Sequence, residues 1–148
     1  MKNRKNTGAY LRQLLDELID NLHNTLAGAG YEEIRPSHGT VFQYIRDSGS
    51  RITELAAEGK ITKQSMSAIV YELEEKGYLT RKPDVSDKRA VLFILTAKGE
   101  QVKALGQSIN YEFEKNWEAK LGKKKYADFR NSLELLCDDT TLLKTENS

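Results

Sequence analysis

The feature that most constrains this chain is a change of apolar period near residue 77. From Thr62 to Lys76 the apolar residues Met66, Ile69, Val70 and Leu73 return every three or four positions, the stripe of an amphipathic helix. Beyond Gly77 the period drops to two, with Val91, Phe93 and Leu95 alternating as in a half-buried strand. Gly77, just past Lys76, is the residue best able to take the left-handed conformation that closes a helix. Upstream, Thr53 can cap a short helix, Glu54 to Glu58, with Leu55 and Ala56 inward, and Gly59-Lys60 breaks it before Thr62 caps the next. Two helices joined by a short glycine-containing link form a helix-turn-helix. The segments Tyr78 to Lys82 and Arg89 to Leu95, with Pro83 to Lys88 as the polar turn between them, add a hairpin wing. The predicted fold is mainly α (α+β), a winged helix-turn-helix.

Flanking helices complete the chain. Leu11, Leu14, Leu15, Leu18 and Leu22 lie on one stripe of a helix from Tyr10 to Ala27, ended by Gly28 and Gly30. Arg35-Pro36-Ser37 is a helix entry, because proline lacks the amide proton that a first turn leaves unpaired. Val41, Phe42 and Ile45 follow as its buried face, and residues 47–50 make a turn. Thr96 can cap a helix from Lys98 to Leu121 whose face carries Val102, Leu105, Ile109, Phe113 and Trp117. Past Gly122, a last helix is marked by Tyr126, Phe129, Leu133 and Leu136. These stripes exceed what a small winged core can cover, and a homodimer would absorb them. The expected division is residues 1–34 for dimerisation, 35–98 for the winged helix-turn-helix, and 99–148 for dimerisation again.

Composition narrows the function classes. No apolar run approaches the ~20 residues of a membrane span, and residues 1–8 lack the apolar stretch of a signal peptide, so a cytoplasmic protein without membrane partner is expected. A single cysteine, Cys137, cannot bridge internally and reads as a small buried hydrophobe. With His23 and His38 the only histidines, no metal site is expected. There is no nucleophile with a neighbouring base and no glycine-rich phosphate loop, so neither enzyme activity nor a cofactor is expected. A net charge of +1 gives no global case for nucleic acid, although residues 51–98 hold nine basic against seven acidic groups. The run Lys123-Lys124-Lys125 reads as a solvated corner.

The local pattern says more than the charge. A major groove about 12 Å wide admits one helix, which needs a small polar outer face and an inner face fixed to a core. Thr62 to Lys76 has that build. Its outward set, from the Thr62 cap onward, is Lys63, Gln64, Ser65, Ser67, Ala68 and Tyr71. Gln64 can pair with adenine N6 and N7, Ser65 and Ser67 can bond base edges or phosphates, and Ala68 can touch a thymine methyl. Lys63 and Tyr71 suit phosphate, Tyr71 having packing on the wing as its alternative. At the wing, Asp87 can orient Arg89 for a minor groove about 6 Å wide, while Arg81, Lys82 and Lys88 track phosphates.

Thr53-Glu54-Leu55-Ala56-Ala57, the run Thr62 to Leu79, the wing Arg81 to Ala90 and Leu95-Thr96-Ala97-Lys98-Gly99 together resemble the MarR family of bacterial transcriptional regulators. The wing pattern Asp-x-x-Asp-Lys-Arg-Ala followed by Leu-Thr-x-x-Gly is its specific element. The resemblance implies a homodimer on an inverted-repeat operator in double-stranded DNA, with terminal helices forming the dimer and Arg89, supported by Asp87, in the minor groove. A repressor released by a small-molecule effector is the expected mode. Family members often carry arginine where this chain has Ala68, so Gln64, Ser65 and Ser67 bear more of the specificity. A winged helix used as a protein-interaction module is the alternative; it would favour exposed aromatics at its centre.

Overall fold

The computed structural model describes residues 4–138. The elements are α1 (Thr7–Gly28), a 3-10 turn (Pro36–His38), α2 (Gly39–Tyr44), α3 (Ile52–Gly59), α4 (Lys63–Glu75), β1 (Leu79–Pro83), β2 (Val91–Leu95), α5 (Ala97–Leu121) and α6 (Lys123–Cys137). Two compact units divide them, one reaching to Ile109 and the other starting at Asn110.

The first unit is a winged helix-turn-helix with α1 and the first half of α5. Its core gathers Leu26, Ile34, Val41, Phe42, Leu55, Met66, Val70, Leu73, Tyr78, Leu79, Phe93 and Val102, drawn from every α-helix and strand of the unit. The stripe of α4 is buried as the spacing predicts, with Met66, Val70 and Leu73 fully enclosed and Ile69 packed beside them. Gly77 closes α4 at φ +84°, and the amides of Gly77 and Tyr78 donate back to the carbonyls of Glu74 and Leu73. This double return bond is the usual satisfaction of orphan carbonyls at a left-handed helix end.

Several boundaries differ from the expectations, each for a local reason. Helix α1 starts at Thr7 rather than Tyr10, because the side chain of Asn6 accepts the Ala9 amide at 2.8 Å. Helix α3 starts at Ile52, and Thr53 is an exposed residue of its first turn, not its cap. The left-handed residue that ends α3 is Lys60, at φ 53°, rather than Gly59. Gly59 instead makes room for α2, since a Cβ there would stand 2.5 Å from the Thr40 side chain. The strands begin one or two residues later than the apolar pattern suggests, because Tyr78 turns fully into the core before β1 starts.

β1 and β2 pair antiparallel, from Leu79 opposite Leu95 to Pro83 opposite Val91. Ser50, read as part of a turn, bridges to Phe93 through reciprocal bonds of 2.8 and 3.0 Å and so adds a one-residue third strand. Of the predicted inward set, Phe93 is buried and Leu95 packs on the core, but Val91, at the far end of the strand, is exposed.

Helix α5 is capped by Thr96, whose hydroxyl accepts the Gly99 amide at 3.1 Å and donates to the Gly77 carbonyl at 2.6 Å. Gly99 is the point of closest approach, where a Cβ would collide with the Tyr78 carbonyl oxygen. The Leu-Thr-x-x-Gly sequence thus docks the start of α5 onto the chain between α4 and β1.

In the second unit, Trp117 meets Phe113 and Phe129 edge to face at centroid distances of 5.8 and 6.3 Å. Gly122, at φ +87°, makes the sharp link between α5 and α6. No residue of α6 is buried, and Leu136 is 82% exposed. Cys137 is exposed rather than buried. In α1, likewise, Leu11 and Leu15 of the leucine stripe are about half exposed (49% and 55%) and only Leu26 is buried. Among the described residues no helix is long and apolar enough to cross a membrane.

Candidate nucleic-acid interface

Helix α4 begins at Thr62, whose hydroxyl oxygen accepts the Ser65 amide at 3.0 Å and whose proton goes to the Ser65 Oγ at 2.9 Å. With the opposite face locked in the core, Lys63, Gln64, Ser65 and Ala68 are exposed and Ser67 half-buried. The predicted outward set therefore lies on one exposed face. Ser67 donates to the Lys63 carbonyl at 2.8 Å. Tyr71 is half exposed and also lies against Phe93 at a centroid distance of 6.3 Å, so wing packing and exposure coexist in it.

A buried clip fixes the other side of α4. His38 is fully enclosed; its Nδ1 accepts the Arg35 amide at 2.9 Å, so the ring proton sits on Nε2 and points to Glu72 at 3.1 Å. Burial holds the His38 pKa below the usual histidine value, which keeps this tautomer neutral. Glu72 also takes Lys76 at 2.9 Å and Arg35, and its pKa is held down to about 2, chiefly by the Lys76 bond and then by His38. The 3-10 turn and α4 are thereby joined by a carboxylate that stays ionised.

The wing is organised by its acids. Asp84 is buried, and its Oδ1 accepts both the amide and the hydroxyl of Ser86, at 2.9 and 2.7 Å. Its Oδ2 accepts Nε and Nη2 of Arg51, at 2.9 and 2.5 Å. These bonds, the Ser86 hydroxyl first, hold the Asp84 pKa down to about 2. The expected contact between Asp87 and the Arg89 guanidinium is not formed. Asp87 instead accepts the backbone amide of Arg89 at 3.0 Å, so it shapes the turn and leaves the guanidinium to solvent. Lys88 is exposed beside it.

Arg81 differs from its expected role. Its guanidinium forks onto Glu74 at 2.7 and 2.6 Å and lies over the rings of Tyr71 and Phe93 at 5.8 and 5.3 Å. It ties β1 to α4, and a phosphate would have to compete with Glu74 for it. Lys82 is half-buried, its Cε near the backbone of Gly49.

The fold that carries these features recurs in known proteins. Residues 34–90 match the MarR family model. The segment that carries the winged helix-turn-helix is thus a MarR-family domain. A curated relative, an HTH-type transcriptional repressor of Mycobacterium bovis, is 28% identical over 132 residues, 89% of this chain and 88% of the relative. A solved transcriptional regulator of Thermotoga maritima is 26% identical, covers 95% of this chain and 96% of its own, and superposes with a TM-score of 0.63. A MarR family protein of Mycobacterium tuberculosis, solved in complex with salicylic acid, is 22% identical over 92% of this chain and 99% of its own, at a TM-score of 0.68.

The sequence alone did not reveal Arg51, His38 and Glu72 as organisers of α4 and the wing. Arg51 precedes α3 and meets Asp84 only after β1 and β2 fold back, so nothing in its neighbourhood announces the pair. Arg46 is another, bonding Glu54 at 2.5 Å and also Glu58 across the turn before α3. Among the described residues no group of histidine, cysteine and acidic side chains is placed to hold a metal ion.

Proposed function

We propose that the chain is a MarR-family regulator that acts as a homodimer and binds an inverted repeat in double-stranded DNA, and that it is a repressor released by a small-molecule effector. The observation that carries the DNA reading is the pairing of a small, polar, exposed α4 face with an ordered wing whose Arg89 guanidinium is left to solvent. On this reading α4 enters the major groove through Gln64, Ser65, Ser67 and Ala68, with Thr62, Lys63 and Tyr71 at its margin. Arg89 enters the minor groove, Asp87 shapes its turn, and Lys82 and Lys88 follow phosphates. Arg81 serves mainly to hold the wing to α4.

The exposed apolar side chains of α1, Tyr10, Leu11 and Leu15, and those of α6, Leu135 and Leu136, support the homodimer and the assignment of residues 1–34 and 99–148 to it. Two α4 helices one duplex turn apart would then meet successive major grooves. An effector that favours another spacing of those helices would release the DNA by the difference in its affinity for the two states. The salicylic acid complex of the mycobacterial neighbour makes small aromatic acids the first ligands to test.

A gel-shift titration against the promoter of the chain's own gene, at two salt concentrations and with competitor duplex, tests the proposal. Retention of the shifted band under competitor supports it, and an equal response to both duplexes defeats it.

A further inference from the structure

A carbonyl oxygen has no proton to give, so the 2.8 Å contact between Ser67 Oγ and the Lys63 carbonyl fixes which way the Ser67 hydroxyl points. Its proton faces back into the helix. What Ser67 turns outward, from a half-buried position on the exposed face of α4, is lone pairs alone. Ser65 is the opposite case. Its Oγ receives the Thr62 proton at 2.9 Å, and its own proton is left for an outside acceptor.

Resting on the DNA-binding reading above, we infer that Ser67 is a specificity-determining acceptor that selects an amino-bearing base, adenine through N6 or cytosine through N4, and does not contact phosphate. Phosphate oxygens, guanine O6 and N7, and thymine O4 are acceptors and repel an oxygen whose proton is committed elsewhere. The only major-groove donors are the adenine and cytosine amino groups. Turning the hydroxyl outward would forfeit the bond to Lys63 and leave that carbonyl dependent on its helix bond alone. Ser65, with a free proton, suits the acceptors that Ser67 refuses.

The test selects bound duplexes from a pool with a randomised core, using the full chain and its Ser67→Ala and Ser67→Thr variants. The expected result is one position per half-site where the wild type takes adenine or cytosine, where Ser67→Ala loses the preference by about three- to tenfold, and where Ser67→Thr keeps it. Replacing that base with its analogue lacking the amino group should weaken the wild type by the same factor and leave Ser67→Ala unchanged. A Ser67-dependent preference for guanine or thymine overturns the inference, as does a Ser67→Ala variant that selects the wild-type sequence. Failure of the wild type to enrich any sequence removes the DNA reading itself, which is a separate outcome.

Discussion

Arg51 and Asp84 lie 33 residues apart in sequence and join the start of α3 to the root of the wing, with both Nε and Nη2 of the arginine on a single carboxylate oxygen. The other carboxylate oxygen is spent on Ser86. One buried side chain thus sets both the turn of the wing and its attachment to the helix-turn-helix.

Removing the arginine should therefore loosen the wing more than the core. In Arg51→Met, amide hydrogen exchange at Ser86 and Arg89 is expected to accelerate, while the protection of Val70 and Leu73 in α4 stays close to wild type. Equal acceleration at all four would show that the pair stabilises the unit as a whole and does not position the wing.

The glycines make a paired prediction. Gly99→Ala puts a Cβ against the Tyr78 carbonyl, which is backbone and cannot move aside, so a loss of about 3 kcal/mol is expected in chemical denaturation. Gly59→Ala meets only the Thr40 side chain at close range. Its smaller loss, about 1–2 kcal/mol, should be largely recovered in the double variant with Thr40→Ala.

The enclosed His38 makes stability depend on pH. Its folded pKa is below its unfolded value, so its contribution is complete above about pH 6.5 and declines as the pH falls toward the folded value. Glu72, held at about 2, stays ionised through that window. The unfolding temperature should drop as the pH falls below about 6.5, and His38→Gln should flatten that slope. A slope unchanged in the variant would assign the effect elsewhere.

The exposed leucines of α1 predict an oligomer. Sedimentation should give a dimer for the wild type, and Leu11→Lys with Leu15→Lys should give a folded monomer with unchanged helix content. A wild type that sediments as a monomer at micromolar concentration would remove the dimer from the proposal.

Much of this was legible in the sequence because short-range rules govern it. The stripe of Met66, Val70 and Leu73, the Thr62 and Thr96 caps, and the Gly77 stop each depend on neighbours a few residues away, and the structure has all of them. What the sequence concealed was set by the tertiary fold. Thr53 resembles a cap, but the chain enters α3 two residues earlier, with Arg51 at the cap position. Gly59 reads as a breaker, yet its role is to admit Thr40. Asp87 sits two residues from Arg89, which suggested a side-chain pair; the turn brings its carboxylate to the Arg89 amide instead. Arg81, basic and next to the wing, looked free until Glu74 on α4 came within reach. Cys137 reads as buried because a lone cysteine behaves as a small hydrophobe, yet it is exposed, beside α6 leucines whose cover was expected from a second chain.

The most direct measurement is the affinity of the wild type and of Arg89→Ala for the own-promoter duplex and for a scrambled duplex of equal length, by fluorescence anisotropy at fixed salt. The account predicts that the wild type prefers the promoter by about a thousandfold or more, and that Arg89→Ala loses at least roughly tenfold of that affinity while unfolding at the wild-type temperature. Equal binding of both duplexes by the wild type, or an Arg89→Ala variant that binds the promoter as the wild type does, would contradict it.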